Sequence, residues 1–348
     1  MQLWNKLNKE ELEEQLRDIG HEFLTISFYK YARIANPHLF RDHLFLMWSK
    51  LEVVGRTYIA SEGINAQIAV PTKNISLFRE ELYQIDFLNG IRLNFAVDES
   101  EAEFPFLKLK IKVRNKILAD GLNDETFDVT KKGKHLNAEE FNALTDDPET
   151  LLIDFRNHYE SEVGYFEGAI LPDVDTFRDS LPKIEKEILK GNEHKNIVMY
   201  CTGGIRCEKA SAWFKHRGFP NVHQLEGGII KYARDVKEHG IQNKFKGKNF
   251  VFDERRGERI TEEIVSVCHL CGTPADTHTN CANSACHLLF IQCDKCKEKL
   301  DNCCSSECKE IFHLPIEEQK ELRKGIDNSN KIFKKGRADH LAFKRKYK

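Results

Sequence analysis

A short apolar run, Asn196-Ile-Val-Met-Tyr200, leads directly into Cys201-Thr-Gly-Gly-Ile-Arg206. The helix-spaced stretch Cys207-Glu-Lys-Ala-Ser-Ala-Trp-Phe-Lys-His-Arg217 follows and stops at Gly218. Few folds accept that order. A brief continuous apolar run reads as a strand buried on both faces, and buried strands alternating with helices build a parallel α/β sheet. The surrounding chain repeats the alternation. Leu151–Phe155 reads as a strand, His158–Val163 as a polar helix start and Gly168–Leu171 as a short strand. Phe177–Lys190 reads as a helix despite Pro182, Val222–Leu225 as a strand, and Gly227–Ala233 as the opening of a last helix. In such sheets the chemistry gathers where strand ends meet helix starts, and Cys201 falls at that point.

The loop is suited to an anion. Its backbone amides and the dipole of the helix it opens favour negative charge. That bias pushes the Cys201 thiol toward thiolate, the reactive form, and Arg206 adds a fixed positive charge with forked donors. Cys201 is therefore a candidate nucleophile or sulfur carrier, within a loop backbone of Thr202, Gly203, Gly204 and Ile205. Cys207 is a possible second thiol. It is core if it points into the helix, and it can resolve an oxidised Cys201 if it faces the loop. Asp154 and Arg156 end the preceding strand. They can pair to brace the loop, or Arg156 can face a substrate; the plainer reading of Asp154 is a carboxylate capping a strand end.

The 348 residues suffice for two or three domains. Residues 1–20 carry Leu7, Leu12, Leu16 and Ile19 at helical spacing. Residues 21–115 read β-α-β-β-α-β, the ferredoxin-like (acylphosphatase-like) α+β split. The elements are strands Phe23–Tyr29, Arg56–Ala60, Ile64–Val70 and Ile91–Phe95, with helices Pro37–Leu51 and Ile75–Ile85. Between the middle strands, Glu62, Gly63 and Asn65 form a polar turn, a plain turn or a substrate surface facing the Cys201 loop, with Gly63 at an unusual backbone angle. Lys108-Leu-Lys-Ile-Lys-Val-Arg114 alternates strictly, a strand with one basic face. Residues 130–245 form the α/β unit, 246–315 a Cys-rich module, and 316–348 a polar, basic tail expected to be partly disordered.

Nine of the eleven cysteines lie between Cys268 and Cys308. The chain has no run of 18 apolar residues and its start lacks an apolar signal core, so no membrane span is expected and a cytoplasmic location is. Crowded cysteines there point to metal rather than to cross-links. Two C-x-x-C knuckles, Cys268/Cys271 and Cys293/Cys296, bracket Cys281 and Cys286, with Cys303, Cys304 and Cys308 after them. An interleaved arrangement pairs Cys268 and Cys271 with Cys293 and Cys296, and Cys281 and Cys286 with Cys304 and Cys308. Structural zinc is the expected metal. Other pairings, His287 or His313 as ligands, and an iron–sulfur cluster stay open.

The loop Cys201–Arg206 resembles the six-residue active loop of the rhodanese superfamily. So does Asp154-Phe-Arg156 followed by Tyr159-Glu160 and Gly164-Tyr-Phe-Glu-Gly-Ala-Ile170, which is similar to that family's D-x-R…E-x-x-x-G-H-I-x-G-A pattern with Tyr165 where His is common. The resemblance covers roughly residues 130–240. It implies a Cys201 persulfide cradled by backbone amides. The flanks narrow it further. Gly55-Arg-Thr-Tyr-Ile-Ala-Ser-Glu-Gly-Ile-Asn65, Phe104-Pro-Phe-Leu-Lys-Leu-Lys-Ile-Lys-Val-Arg114, Tyr200-Cys-Thr-Gly-Gly-Ile-Arg-Cys-Glu-Lys-Ala210 and the Cys-rich module together resemble the bacterial tRNA uridine hydroxylases over about residues 20–310. That resemblance implies oxygen-dependent conversion of the wobble uridine of tRNA to 5-hydroxyuridine, with Cys201 required. The alternative is a sulfurtransferase passing persulfide sulfur to a small-molecule or protein acceptor. Gly203-Gly204 and Gly227-Gly228 do not fit G-x-G-x-x-G, so no flavin or nicotinamide site is expected, and the sequence names no electron source.

A net charge of −2 does not announce a nucleic-acid binder, but its distribution is uneven. Lys320–Lys348 holds eleven Lys/Arg against three Asp/Glu. Lys108, Lys110, Lys112 and Arg114 on one strand face, and Lys334, Lys335, Arg337, Lys344 and Arg345 in the tail, are candidate phosphate contacts. Phe333, Phe343 and Tyr347 interleave the tail as stacking partners for unpaired anticodon-loop bases. A solvated face and a frayed terminus are the plainer alternatives.

Overall fold

The computed structural model describes residues 9–20, 22–97, 103–324 and 336–344. Helix α1 (Lys9–Ile19) buries Leu12 and Leu16, and Leu16 packs on Val54 and Ala69. Leu7 lies outside the described residues. There follow β1 (Phe23–Tyr31), α2 (Pro37–Lys50), β2 (Val54–Ala60), β3 (Gly63–Pro71), α3 (Ile75–Tyr83), β4 (Asn94–Phe95) and β5 (Leu109–Val113). Local chemistry sets the ends: Asn36 caps α2 by accepting from the Leu39 amide at 3.0 Å, and Pro37 sits at its first position. The sheet order β4-β1-β3-β2 is the ferredoxin-like one, and β5 extends it parallel to β2.

This sheet is two-faced. Ile26, Phe28, Ile64 and Ile68 bury against Leu44, Trp48, Phe78 and Leu82 of α2 and α3. The alternate residues Thr25, Ser27, Tyr29, Asn65 and Gln67 point to the opposite side. The strand expected over Ile91–Phe95 pairs only through Asn94 and Phe95, opposite Ser27 and Ile26.

The second unit contains β6 (Lys134–Leu136), α4 (Ala138–Thr145), β7 (Thr150–Asp154), α5 (His158–Ser161), β8 (Gly164–Phe166), α6 (Phe177–Ile184), β9 (Asn196–Tyr200), α7 (Ile205–His216), β10 (Val222–Leu225) and α8 (Gly228–His239). Its four-stranded sheet runs β6-β10-β9-β7, all parallel, with β9 internal. That position explains the uninterrupted apolar run before Cys201. Two expectations are corrected. Gly168–Leu171 is not a strand; only Ile170 bridges to Ile153, because Gly168 turns the chain at φ +75°. The paired strand there is β8 instead. The helix over 177–190 is α-helical only to Ile184 and continues as a π-turn over Glu185–Leu189, just past Pro182, which lacks an amide donor.

The remaining elements are β11 (Phe245–Asn249), β12 (Glu258–Arg259), β13 (His278–Asn280), β14 (Leu289–Ile291), α9 (Asp294–Leu300), α10 (Ser306–Phe312) and α11 (Ile316–Arg323). β11 pairs with β8 and β12, stitching this region to the second unit. Residues 336–344 fold back. Leu341 is buried in the cysteine-lined core, and the Phe343 amide donates to the His269 carbonyl at 3.0 Å. No helix among the described residues is long and apolar enough to cross a membrane.

Candidate active site

Strand β9 delivers Cys201 to the mouth of α7, and the loop between them is held from two sides. Gly204 adopts φ +100°, and a Cβ on it would lie 2.9 Å from the Tyr29 hydroxyl of β1. At the start of α8 the Ile229 and Ile230 amides donate to the carbonyls of Cys201 and Thr202 at 3.0 and 3.2 Å. Gly228 permits this approach: a Cβ there would lie 2.5 Å from the Cys201 carbonyl oxygen.

Cys201 is 1% exposed. Burial pushes its thiol up. The neighbouring Cys207 thiol, the Arg206 charge and the Cys207 and Gly204 amides outweigh burial and hold it at about 6. The Gly204 amide donates to Cys201 Sγ at 3.2 Å. Burial, then the Cys201 sulfur, raise the Cys207 thiol well above its ordinary range.

Arg206 does not stand free. Its guanidinium donates to Glu160 Oε1 and Oε2 at 2.6 and 2.8 Å and to the Thr202 hydroxyl at 3.3 Å. Asp154 and Arg156 pair with each other. Arg156 Nη2 donates to Asp154 Oδ2 at 2.6 Å and to the Gly164 carbonyl at 2.6 Å, and both side chains are fully buried. Neither lines the cavity described next, so Arg156 braces the strand ends rather than facing a substrate.

A cavity of about 330 Å³ lies over Cys201. The loop contributes Cys201, Thr202, Gly203, Ile205 and Arg206, and the polar face of the first sheet contributes Thr25, Ser27, Tyr29, Asn65, Gln67 and Asn94. Phe252 and Glu258 close it from the third region. Of the polar turn Glu62, Gly63 and Asn65, Asn65 alone lines the cavity. Gly63 has φ +147°, and a Cβ on it would lie 2.0 Å from the Lys30 carbonyl oxygen. Glu62 accepts from Lys209 of α7 at 2.8 Å and from the Ile117 amide at 2.9 Å, tying the sheet to the helix that follows Cys201. Sequence reasoning missed Lys209, Phe252, Glu258 and Asn94. None of the four carries a signal in the residues alone, because only the fold brings them to the loop.

The cysteines gather into two quartets, Cys268/Cys271/Cys293/Cys296 and Cys281/Cys286/Cys304/Cys308, with the sulfurs of each within 4.8 Å of one another. Tetrahedral thiolates at the usual zinc–sulfur length sit about 3.8 Å apart. Here Cys271 and Cys293 are 3.6 Å apart, and Cys304 lies 3.6 Å from Cys286 and 3.7 Å from Cys308. Each quartet can hold a metal ion. Cys303 is buried and belongs to neither.

On the basic face, Lys110 and Lys112 of β5 register against Arg56 and Tyr58 of β2. Lys108, Lys110 and Lys112 have no carboxylate partner among the described residues. Lys112, then burial, then Lys108 lower the Lys110 ammonium. Arg114 lies over the Tyr58 ring at 5.9 Å. Among the described residues, two of the tail candidates differ from the free basic segment expected. Arg337 is held by Asp173 and Asp175 and donates to His158 Nε2 at 3.0 Å, and Lys344 donates to the Ala338 carbonyl at 3.2 Å. Their charges serve docking of the returning segment. Lys334, Lys335 and Arg345 lie outside the described residues.

Three family models match successive parts of the chain: an "UPF0176 acylphosphatase like domain" over residues 23–117, a "Rhodanese-like domain" over 137–235 and a "Rhodanase C-terminal" region over 246–309. Among curated proteins, the tRNA uridine(34) hydroxylase of Leptospira interrogans is 51% identical over 96% of this chain and 90% of its own length. Those of an Enterobacter species and of Escherichia fergusonii are 53% and 52% identical, each over 96% of this chain and 95% of their own length.

Proposed function

The chain belongs to the tRNA uridine(34) hydroxylase family, and from that premise we propose that it hydroxylates the wobble uridine of tRNA at C5, with Cys201 as the essential nucleophile. The observation that carries the role of Cys201 is its thiol, held near 6 at the floor of a cavity large enough for one base. A wobble base is unpaired in free tRNA, so bringing it into such a cavity costs little unstacking. Addition of the Cys201 thiolate to C6 would move an electron pair toward C5 and O4, so that C5 takes up molecular oxygen. Two electrons and two protons from an external reductant would release the second oxygen atom as water. Loss of the C5 proton would then expel the Cys201 thiolate from C6 to give 5-hydroxyuridine. Molecular oxygen is the proposed co-substrate and the anticodon loop the proposed docking element. Lys108, Lys110 and Lys112 supply phosphate contacts on the basic face. Zinc in the two cysteine quartets is assigned a structural role, holding the third region that supplies Phe252 and Glu258. The proposed setting is the cytoplasm.

The test compares tRNA nucleosides from cells lacking the gene, complemented with wild type or with Cys201→Ala. Restoration of 5-hydroxyuridine-derived nucleosides by wild type alone supports the reading. Unchanged nucleosides together with a Cys201-dependent thiosulfate:cyanide activity would replace it with sulfur transfer.

A further inference from the structure

Asn94 and Ser27 face each other across β4 and β1, the edge pair of the first sheet. Both line the cavity over Cys201. The Asn94 residue is 8% exposed, and it lines the cavity wall. The Ser27 hydroxyl is buried without a partner. Unmade hydrogen bonds of this kind are costly and rare in folded proteins. Their position is equally specific. A Cβ on Gly203, two residues after Cys201, would lie 3.8 Å from Ser27 Oγ and 3.9 Å from Asn94 Nδ2. An unsatisfied hydroxyl and a cavity-lining carboxamide, each with donor and acceptor capacity, therefore stand beside the reactive loop. Apolar and aromatic side chains, Ile230 and Phe252 among them, flank the same space.

A flat heterocycle with a polar edge satisfies that arrangement: apolar contact for its faces, carboxamide and hydroxyl for its edge. We propose that Asn94 and Ser27 form a base-edge subsite that binds the imide edge of an unstacked pyrimidine and sets its ring over Cys201. This rests on the tRNA reading above and names the residues that position the base. Neither residue carries out chemistry; both are positioning residues. The neighbouring Gln67 donates to Asn65 Oδ1 at 2.6 Å and so is committed within the wall.

The test uses the full chain carrying Asn94→Leu or Ser27→Ala, each removing hydrogen-bonding capacity with little change of volume. Two readouts are taken: 5-hydroxyuridine-derived nucleosides in tRNA from complemented cells at limiting expression, and the rate of Cys201 alkylation by iodoacetamide in purified protein. Loss of a hydrogen bond to the base should lower nucleoside formation about tenfold or more for each variant. Alkylation should stay within about twofold of wild type, because the loop is untouched. Wild-type nucleoside levels in both variants would overturn the proposal while leaving the hydroxylase reading intact. A fall in hydroxylation matched by an equal fall in alkylation would also overturn it, since that marks a disturbed loop. If Asn94→Leu fails to accumulate, Ser27→Ala decides alone. Failure of wild type to restore the nucleosides would instead sink the tRNA reading.

Discussion

Glu160 takes both terminal donors of Arg206, at 2.6 and 2.8 Å, in a pair with almost no access to water. This pair converts the loop's Arg into a fixed wall that still acts on Cys201 through its charge. Removing one partner of a buried pair leaves the other uncompensated, which costs about 3–5 kcal/mol. Glu160→Gln should therefore lower stability by roughly that amount in a denaturant titration. The double variant Glu160→Gln with Arg206→Met should recover much of the loss. Additive losses would show that the pair is not the unit described.

Arg206→Met removes the main positive charge beside Cys201. The midpoint of the alkylation rate against pH should then move upward from about 6, in the single variant and in the double variant alike. An unmoved midpoint would assign the low thiol value to the loop amides and Cys207 alone.

The pH dependence of wild type follows from the same group. With the thiol held at about 6, the thiolate is nearly complete at neutral pH. It falls about tenfold per pH unit once well below the midpoint. Alkylation should be flat above neutrality and decline through the region near 6. A decline centred near 8.5, the ordinary thiol value, would mean that the loop does not tune the sulfur.

Each cysteine quartet should hold one metal ion, giving two per chain by metal analysis of purified protein. Cys293→Ser should release one of them and leave the other. Chelation should lower the melting temperature, because ions that bind only the folded chain stabilise it. Retention of both ions by Cys293→Ser would contradict the assignment of ligands.

Lys110→Glu with Lys112→Glu should weaken tRNA binding and flatten its salt dependence by roughly 0.7–0.9 in the log–log slope for each phosphate that the variant no longer neutralises. Alkylation of Cys201 should not change. An unaltered slope would place the tRNA backbone elsewhere.

Much of this architecture is legible in the residues because local rules and tertiary demands coincide. The apolar run Asn196–Tyr200 is read as a buried strand because β9 is flanked on both sides by parallel neighbours. The two C-x-x-C knuckles meet in one quartet because each supplies two ligands at fixed separation, while the second quartet, Cys281/Cys286/Cys304/Cys308, is one of several pairings the spacing allows and is selected by the fold. What the residues conceal is which side of a half-polar strand meets water. Thr25, Ser27 and Tyr29 alternate with apolar neighbours as any solvent-facing strand would, yet they wall a cavity. Only the docking of the second unit decides that. Glu160 likewise precedes Arg206 by 46 residues, a separation no periodicity reveals. Arg337 reads as free charge because Asp173 and Asp175, which bind it, lie far upstream.

The most direct measurement is mass spectrometry of the anticodon fragment of tRNA from complemented cells grown under heavy-isotope oxygen gas. Wild type should yield uridine 34 carrying one heavy oxygen atom, and Cys201→Ser should yield the unmodified base. Unlabelled hydroxylation by wild type, or full hydroxylation by the serine variant, would contradict the account.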